Sequence, residues 1–257
     1  MKSLFLATAA VAAFAAAPAL AQDAIGSVGV SYNHGKFEAA GSDIDVDGAT
    51  IDGVVATPAF GDWTVTFNAS GSYSDSFVGD ETSLSGGVHL SKAVEDMRFG
   101  GFVNAVELPA GQNLVTFGAE GQKYLDRATL TGVVSYGTVL DADIWTVGGD
   151  AAFYATPALR LNVGASYTDL DLGGAGGTDG WSAGAGAEYQ FATKPYSVFA
   201  GYERSEVEDL DLTVDAFKVG LRFNFGGDLQ SRDRAGATLG RTGNGVMGNL
   251  TSLFSAF

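Results

Sequence analysis

Between Trp63 and Ser74 the chain reads WTVTFNASGSYS. Trp63, Val65, Phe67, Ala69, Gly71 and Tyr73 alternate with Thr64, Thr66, Asn68, Ser70, Ser72 and Ser74. Successive side chains of an extended strand point to opposite faces, so a strict period of two gives one apolar and one polar face. The alternation recurs along the chain. Val28, Val30 and Tyr32 oppose Ser27, Ser31 and Asn33, and Leu84, Val88 and Leu90 oppose Ser85, His89 and Ser91. Later segments repeat it around Phe117, Val134, Val147, Leu161, Ala185, Val198 and Leu221. The segments Ile44–Thr57 and Arg98–Leu108 also read as strands, with a less regular phase. The pattern predicts about twelve strands of roughly ten residues, the length a tilted strand needs to cross a bilayer.

Which face is inside is a question of composition. A soluble sandwich would bury Trp63, Val65 and Phe67 and expose Thr, Ser, Asn and Gly. Soluble sheet surfaces normally carry charge against association, yet charged residues are only 17% of this chain. The aromatics also gather at strand ends, Trp63, Tyr73, Trp145, Trp181 and Tyr189 among them, with Val, Leu, Ala and Gly between. Two aromatic belts around an aliphatic band are the pattern of a lipid-facing wall, with those five residues marking its interfaces. In hydrocarbon an unpaired backbone group costs several kcal/mol, so the strands must close into a ring. The expected fold is all-β: a closed antiparallel up-and-down transmembrane barrel with its apolar face outward. Arg at Phe67 should then be destabilising, and Arg at Thr66 tolerated.

The connections fall into two alternating kinds. Tight turns are expected at Thr57–Ala59, Lys92–Asp96, Leu125–Arg127, Thr156–Ala158 and Thr193–Pro195, and longer acidic loops at His34–Asp43, Asp75–Glu81, Glu107–Asn113, Val139–Asp143, Asp169–Gly180 and Ser205–Leu212. Residues 1–21 are set apart: Lys2, a short apolar run and Ala19-Leu20-Ala21 form a secretory signal with the cut expected after Ala21. The barrel is assigned to residues 22–226. Residues 227–257 form a Gly-rich tail outside the sheet, expected on the short-turn, periplasmic side, where it could lie free, contact peptidoglycan or plug the lumen; its end (Val246, Leu250, Leu253, Phe254, Phe257) has helical spacing. A net charge of −16 argues against nucleic acid as a partner, and with no cysteine there is no disulfide framework.

The last strand, Phe217, Val219, Leu221, Phe223 and Phe225 alternating with Lys218, Gly220, Arg222 and Asn224, resembles the C-terminal assembly signal of Gram-negative outer-membrane β-barrels. It departs from them in that the chain continues to Phe257. The resemblance covers residues 22–226 and is architectural. It implies export to the outer membrane of a Gram-negative bacterium and insertion by the barrel assembly machinery. Short turns would face the periplasm, acidic loops the exterior, and the outer wall lipid and lipopolysaccharide. Among such barrels the chain looks like a porin, a passive diffusion channel for small hydrophilic solutes or ions, and a homo-oligomer is compatible with that.

The phase then assigns the lumen. Arg98, Glu120, Asp150, Arg160, Glu188, Glu203, Lys218 and Arg222 are expected to point inward, with Asp52, Thr66, Asn68, His89, Gln122, Asn162, Gln190 and Asn224. Opposed lumen charges would orient polar solutes. The alternative is that they neutralise one another in a non-conducting structural or adhesive barrel. A ring of about twelve strands lies between barrels filled by side chains and barrels with an aqueous channel. No catalytic residues, cofactor or metal site are assigned. His34 and His89 lack Ser-His-Asp spacing, the loop glycines around Gly173 do not sit between a strand and a helix, and Asp43-Ile44-Asp45-Val46-Asp47 mimics a Ca²⁺ loop only loosely.

Overall fold

Strands that alternate this strictly have one face to bury or one face to wet, and here they do both by rolling into a ring. The computed structural model describes residues 24–239 apart from 40, 77–78, 108–111, 140–141, 172, 174–175 and 209–210. The secretory signal and the apolar repeat from Val246 onward lie outside the described residues. Twelve strands follow in chain order: β1 (Ile25–Ala39), β2 (Ser42–Pro58), β3 (Trp63–Ser76), β4 (Gly79–Val94), β5 (Met97–Glu107), β6 (Asn113–Tyr124), β7 (Ala128–Val139), β8 (Ala142–Thr156), β9 (Leu159–Asp171), β10 (Gly177–Gln190), β11 (Tyr196–Val207) and β12 (Leu212–Phe225). A short helix α1 (Leu229–Arg234) follows them. Every strand pairs antiparallel with its chain neighbours, and β1 pairs with β12 from Gly26↔Phe225 to Ala39↔Leu212, closing the barrel.

The phase read from the sequence holds on the strands where the alternation is regular. Phe67, Val88, Val103, Val134, Val147, Val163 and Leu221 point out and are exposed, while Thr66, His89, Ser197 and Asn224 point in and are buried. The weak phase of β2 and β5 has a physical cause. Val54 and Ala56 on β2, and Phe102 and Val106 on β5, are apolar side chains buried on the inner face, so both faces of those strands are greasy.

The strands run 11 to 17 residues, longer than the expected ten, because stretches read as acidic loops are strand. β1 continues to Ala39 and β2 begins at Ser42, so His34–Glu38 and Asp43–Asp47 pair in register. Beyond Tyr32, Tyr73, Tyr136, Tyr167 and Tyr202 the faces exchange character. Asp43, Asp45 and Asp47 point out, while Ile44 and Val46 point in. Phe37, Val46, Val207 and Val214 pack there into an apolar cluster only 2 to 3% exposed. Outside the hydrocarbon the outer face meets water, and the interior becomes the only place to bury apolar area. The Ca²⁺-loop-like spacing of Asp43, Asp45 and Asp47 is this alternation.

At that boundary the tyrosines share one device. The Tyr32, Tyr136 and Tyr202 hydroxyls donate to Asp47, Asp143 and Asp215, each two residues beyond the tyrosine's cross-strand partner, and Tyr167 bonds Asp179 in the same way. Each ring lies along the apolar band with its hydroxyl on the polar side, as an interfacial tyrosine does. Trp145 and Trp181 belong to this belt, each directly opposite one of the tyrosines, and Tyr73 shares its level. Trp63 and Tyr189 belong to the opposite belt, where Phe60 packs on Trp63, Phe191 on Tyr189 and Phe223 on Tyr196. Just beyond it, the Lys123 ammonium bonded to Asp96 in the β4–β5 turn holds that exposed carboxyl below its ordinary range.

Phe67→Arg, in the middle of the outer band, is expected to destabilise the refolded protein by about 2–4 kcal/mol, and Tyr73→Arg at the belt by about 0–1. Urea titration in lipid vesicles, followed by tryptophan fluorescence, measures both. Equal effects at the two depths would contradict a lipid-facing band.

Candidate functional site

Inside the band, the inner face collects the polar and charged residues that the alternation assigns to it. Glu188 on β10 is the centre of one group. It accepts from Arg222 Nη1 on β12 at 2.9 Å and from Ser197 Oγ on β11 at 2.7 Å, while Arg232 Nη2 lies 3.9 Å away. Arg222 also reaches Asp52 on β2 at 3.2 Å, and its guanidinium lies 4.2 Å above the Phe199 ring. Two carboxylates and an aromatic face therefore hold one guanidinium across the β1–β12 seam. Arg160 and Asp150 form a second pair at 3.2 Å, with Asn162 donating to the other Asp150 oxygen at 3.1 Å. His89 Nδ1 meets Glu120 at 2.9 Å and Nε2 meets Asn68 Oδ1 at 3.2 Å, with Phe102 stacked at 5.2 Å. Next to it, Arg98 donates to Ser91 Oγ, Tyr124 Oη and the Arg234 carbonyl.

The strands place these side chains because inward positions on neighbouring strands lie directly opposite in register. Glu188 faces Arg160 and Phe199. Arg222 faces Gly29 and Ser197. The large rings are laid against the wall. A Cβ at Gly118 would sit 2.7 Å from Phe102, and one at Gly220 would sit 2.5 Å from Phe199. Only glycine lets each ring lie flat on the neighbouring strand, which leaves the centre of the lumen to polar groups. Further along, Lys218 on β12 points inward and is exposed, with the Glu203 carboxylate of β11 within reach of its charge and bonded to Ser182.

All eight residues assigned to the lumen thus point inward, but they do not form one ring. Glu120, Arg98, Asp150, Arg160, Glu188 and Arg222 lie in the half toward the short turns, paired or hydrogen-bonded, and Glu203 and Lys218 lie beyond them. Thr66, read as a tolerant lumen position, is fully buried and donates to the Gly236 carbonyl, so an arginine there has no room. Of the two histidines, His34 pairs at the acidic rim with Asp47 at 2.9 Å rather than with Asp43, and His89 is sealed inside the wall network.

The segment after β12 joins no strand, and its described part turns back into the barrel. Asp228 caps α1 by accepting from the Ser231 amide at 2.8 Å. Leu229 packs against Ala152 and Tyr154 inside the wall, and Ala237 and Leu239 are 1% exposed. The anchors span the mouth: Arg232 donates to Gly26 O on β1, Thr66 on β3 and Arg98 on β5 donate to the segment, and Gln122 on β6 reaches Thr238 at 3.2 Å. Arg234 donates to Leu125 O and Asp126 O in the β6–β7 turn, and the Gln230 amide to Pro157 O in the β8–β9 turn. The legible signal was Gly226-Gly227-Asp228, a chain reversal followed by a helix cap.

No protein-family model and no curated protein matches the chain. Among solved structures it is similar to an outer membrane channel from Pseudomonas putida F1, at 12% identity over 78% of this chain and 96% of that one, with a TM-score of 0.63. It is also similar to the translocator domain of the autotransporter NalP from Neisseria meningitidis, at 14% identity over 87% and 97%, with a TM-score of 0.54. A third is the NanC porin, at 6% identity over 76% and 100%, also with a TM-score of 0.54. At these identities the likeness is one of fold: the chain has the closed barrel of outer-membrane proteins.

Removing Glu188 takes one of two carboxylates from Arg222, which keeps Asp52, and the carboxylate 3.9 Å from the buried Arg232. Glu188→Ala is expected to lower stability by about 3–5 kcal/mol, whereas Glu188→Leu combined with Arg222→Met recovers most of it. Urea unfolding of the single and double variants checks the coupling.

Proposed function

We propose that the chain is an outer-membrane channel through which small hydrophilic solutes or ions diffuse passively, with selectivity set by lumen charge. The observation that carries this is Lys218, a lysine exposed on the inner face of a barrel whose outer face is apolar. Exposure of an ammonium inside the ring requires water there, and a lumen filled only to brace the wall has no use for it. The flattened rings of Phe102 and Phe199 add to this, as does the polar lining around them. Two of the similar folds, the Pseudomonas putida channel and the NanC porin, are channels by name, and the translocator domain is a barrel of another use. The outer wall would face lipid and lipopolysaccharide, with the acidic, tyrosine-girdled end outside the cell and the short turns in the periplasm. The β12 alternation ending on Phe225 would be read by the assembly machinery.

The second reading, a non-conducting structural barrel, is favoured by the pairing of Glu188, Asp150, Asp52 and Glu120 within the wall and by the segment lying across one mouth. Planar-bilayer recording separates the two. The full chain is expected to give infrequent step openings, and Lys218→Glu to move the reversal potential in a KCl gradient toward cation preference. If neither the full chain nor a chain ending at Gly227 shows steps above leak, the channel reading fails.

A further inference from the structure

We infer that the described part of the C-terminal segment, residues 228–239, is a removable plug that gates the short-turn mouth, with Arg98 as its latch. The inference rests on the channel reading and adds a closed state and the residues that hold it. Three observations carry it.

The first is coverage. The segment's partners lie on β1, β3, β5, β6 and two turns, so it lies across the ring rather than along one side. Leu229, Ala237 and Leu239 are 1 to 3% exposed, which places them in the opening and not over it.

The second is separability. The wall pairs its own carboxylates without the segment: Glu188 and Asp52 with Arg222, Asp150 with Arg160, and Glu120 with His89. The segment adds mostly single hydrogen bonds to neutral oxygens, together with one buried ion pair, Arg232 to Glu188 at 3.9 Å, and Glu188 keeps Arg222 at 2.9 Å when the segment leaves. Its withdrawal therefore strands none of those wall carboxylates. It is tethered to β12 through Gly226 and Gly227, both at positive φ (83° and 136°), a joint at which the chain changes direction without side-chain hindrance.

The third is the latch. Arg98 is 4% exposed, and among the described residues it forms no ion pair with a carboxylate. Its three donors go to Ser91, Tyr124 and the carbonyl of Arg234, the last residue of α1. A guanidinium with this environment is matched by the carbonyl end of a helix. Gly236 makes that approach possible. Its φ is +89°, and a Cβ there would lie 3.2 Å from the Arg98 guanidinium. A side chain at 236 would be strained and would press on the latch.

The chain has no cysteine, so a designed cross-link reports without background. In the full chain carrying Gln122→Cys and Thr238→Cys, at positions joined by a hydrogen bond from the Gln122 amide to Thr238 Oγ1, a short reducible bis-thiosulfonate linker that replaces the length of the glutamine side chain is expected to give a near-complete internal cross-link in the refolded barrel. In planar bilayers the cross-linked protein should stay closed, and reduction should restore openings. Gly236→Val, in the otherwise native chain, should raise open probability at least tenfold. Placed in the double-cysteine chain it should suppress the cross-link and expose Arg232 and Arg234 to trypsin. No cross-link in a folded, heat-modifiable barrel would overturn the docking. A cross-link with equal conductance before and after reduction, in a protein that conducts, would overturn the gate while leaving the channel reading intact. A cross-link in a protein that shows no openings in any form, Gly236→Val included, would sink the channel reading and the gate together.

Discussion

The constraint on which everything else depends is that no backbone N–H or C=O may be left open on a face surrounded by hydrocarbon. A row of unpaired groups along one strand edge would make such a wall unworkable, so the first strand must meet the last. The β1–β12 ladder covers all of β1 but its first residue, from Gly26↔Phe225 to Ala39↔Leu212. Once it forms, the alternation has a fixed meaning: even positions of β1 face out and odd positions face in, and each neighbour inherits the phase through its register. The Arg222–Asp52 pair crosses this same seam from β12 to β2, and Arg232 adds a bond to Gly26 O on its inner side.

The wall then has to satisfy two solvents along its height. Across the band it is apolar outside and polar inside. Past the tyrosine belt it is acidic outside and apolar inside, with Phe37, Val46, Val207 and Val214 packed where the lumen would otherwise continue. The interior therefore has three zones. The ionic network and the C-terminal segment occupy the short-turn end, Lys218 and Glu203 lie between, and the apolar cluster stands at the acidic end. Among the described residues it is the two ends that are filled by packed side chains.

Desolvation explains why the lumen charges sit where they do. Bringing Glu188 or Arg222 out of water is favourable only when good partners replace the hydration shell. Where the wall is crowded by the segment, each carboxylate has a guanidinium or imidazole at 2.9 to 3.2 Å. Lys218 keeps its exposure with the Glu203 carboxylate within reach of its charge.

The sequence by itself determined the strand count, the phase of the strands outside Ile44–Thr57 and Arg98–Leu108, and which charges share a face within them. A period of two is a local property: the pleat alone dictates which residues share a face, and the low charge of the chain as a whole, 17%, argues that the apolar face rather than the polar one meets lipid. It also determined the belts, because an amphipathic ring such as Tyr32 or Trp63 has one favourable depth. Only the tertiary structure decided how those faces are used. Asp43-Ile44-Asp45-Val46-Asp47 is a loop by composition and a strand by pairing, since the ladder with β1 satisfies its backbone. Thr66 is a lumen residue by phase and a buried anchor by contact, because Gly236 comes to it from 170 positions away. The path of residues 228–239 depends on a mouth that exists only after twelve strands have closed. A partner assembled from the turns and inner faces of many strands leaves no periodic trace in any one of them.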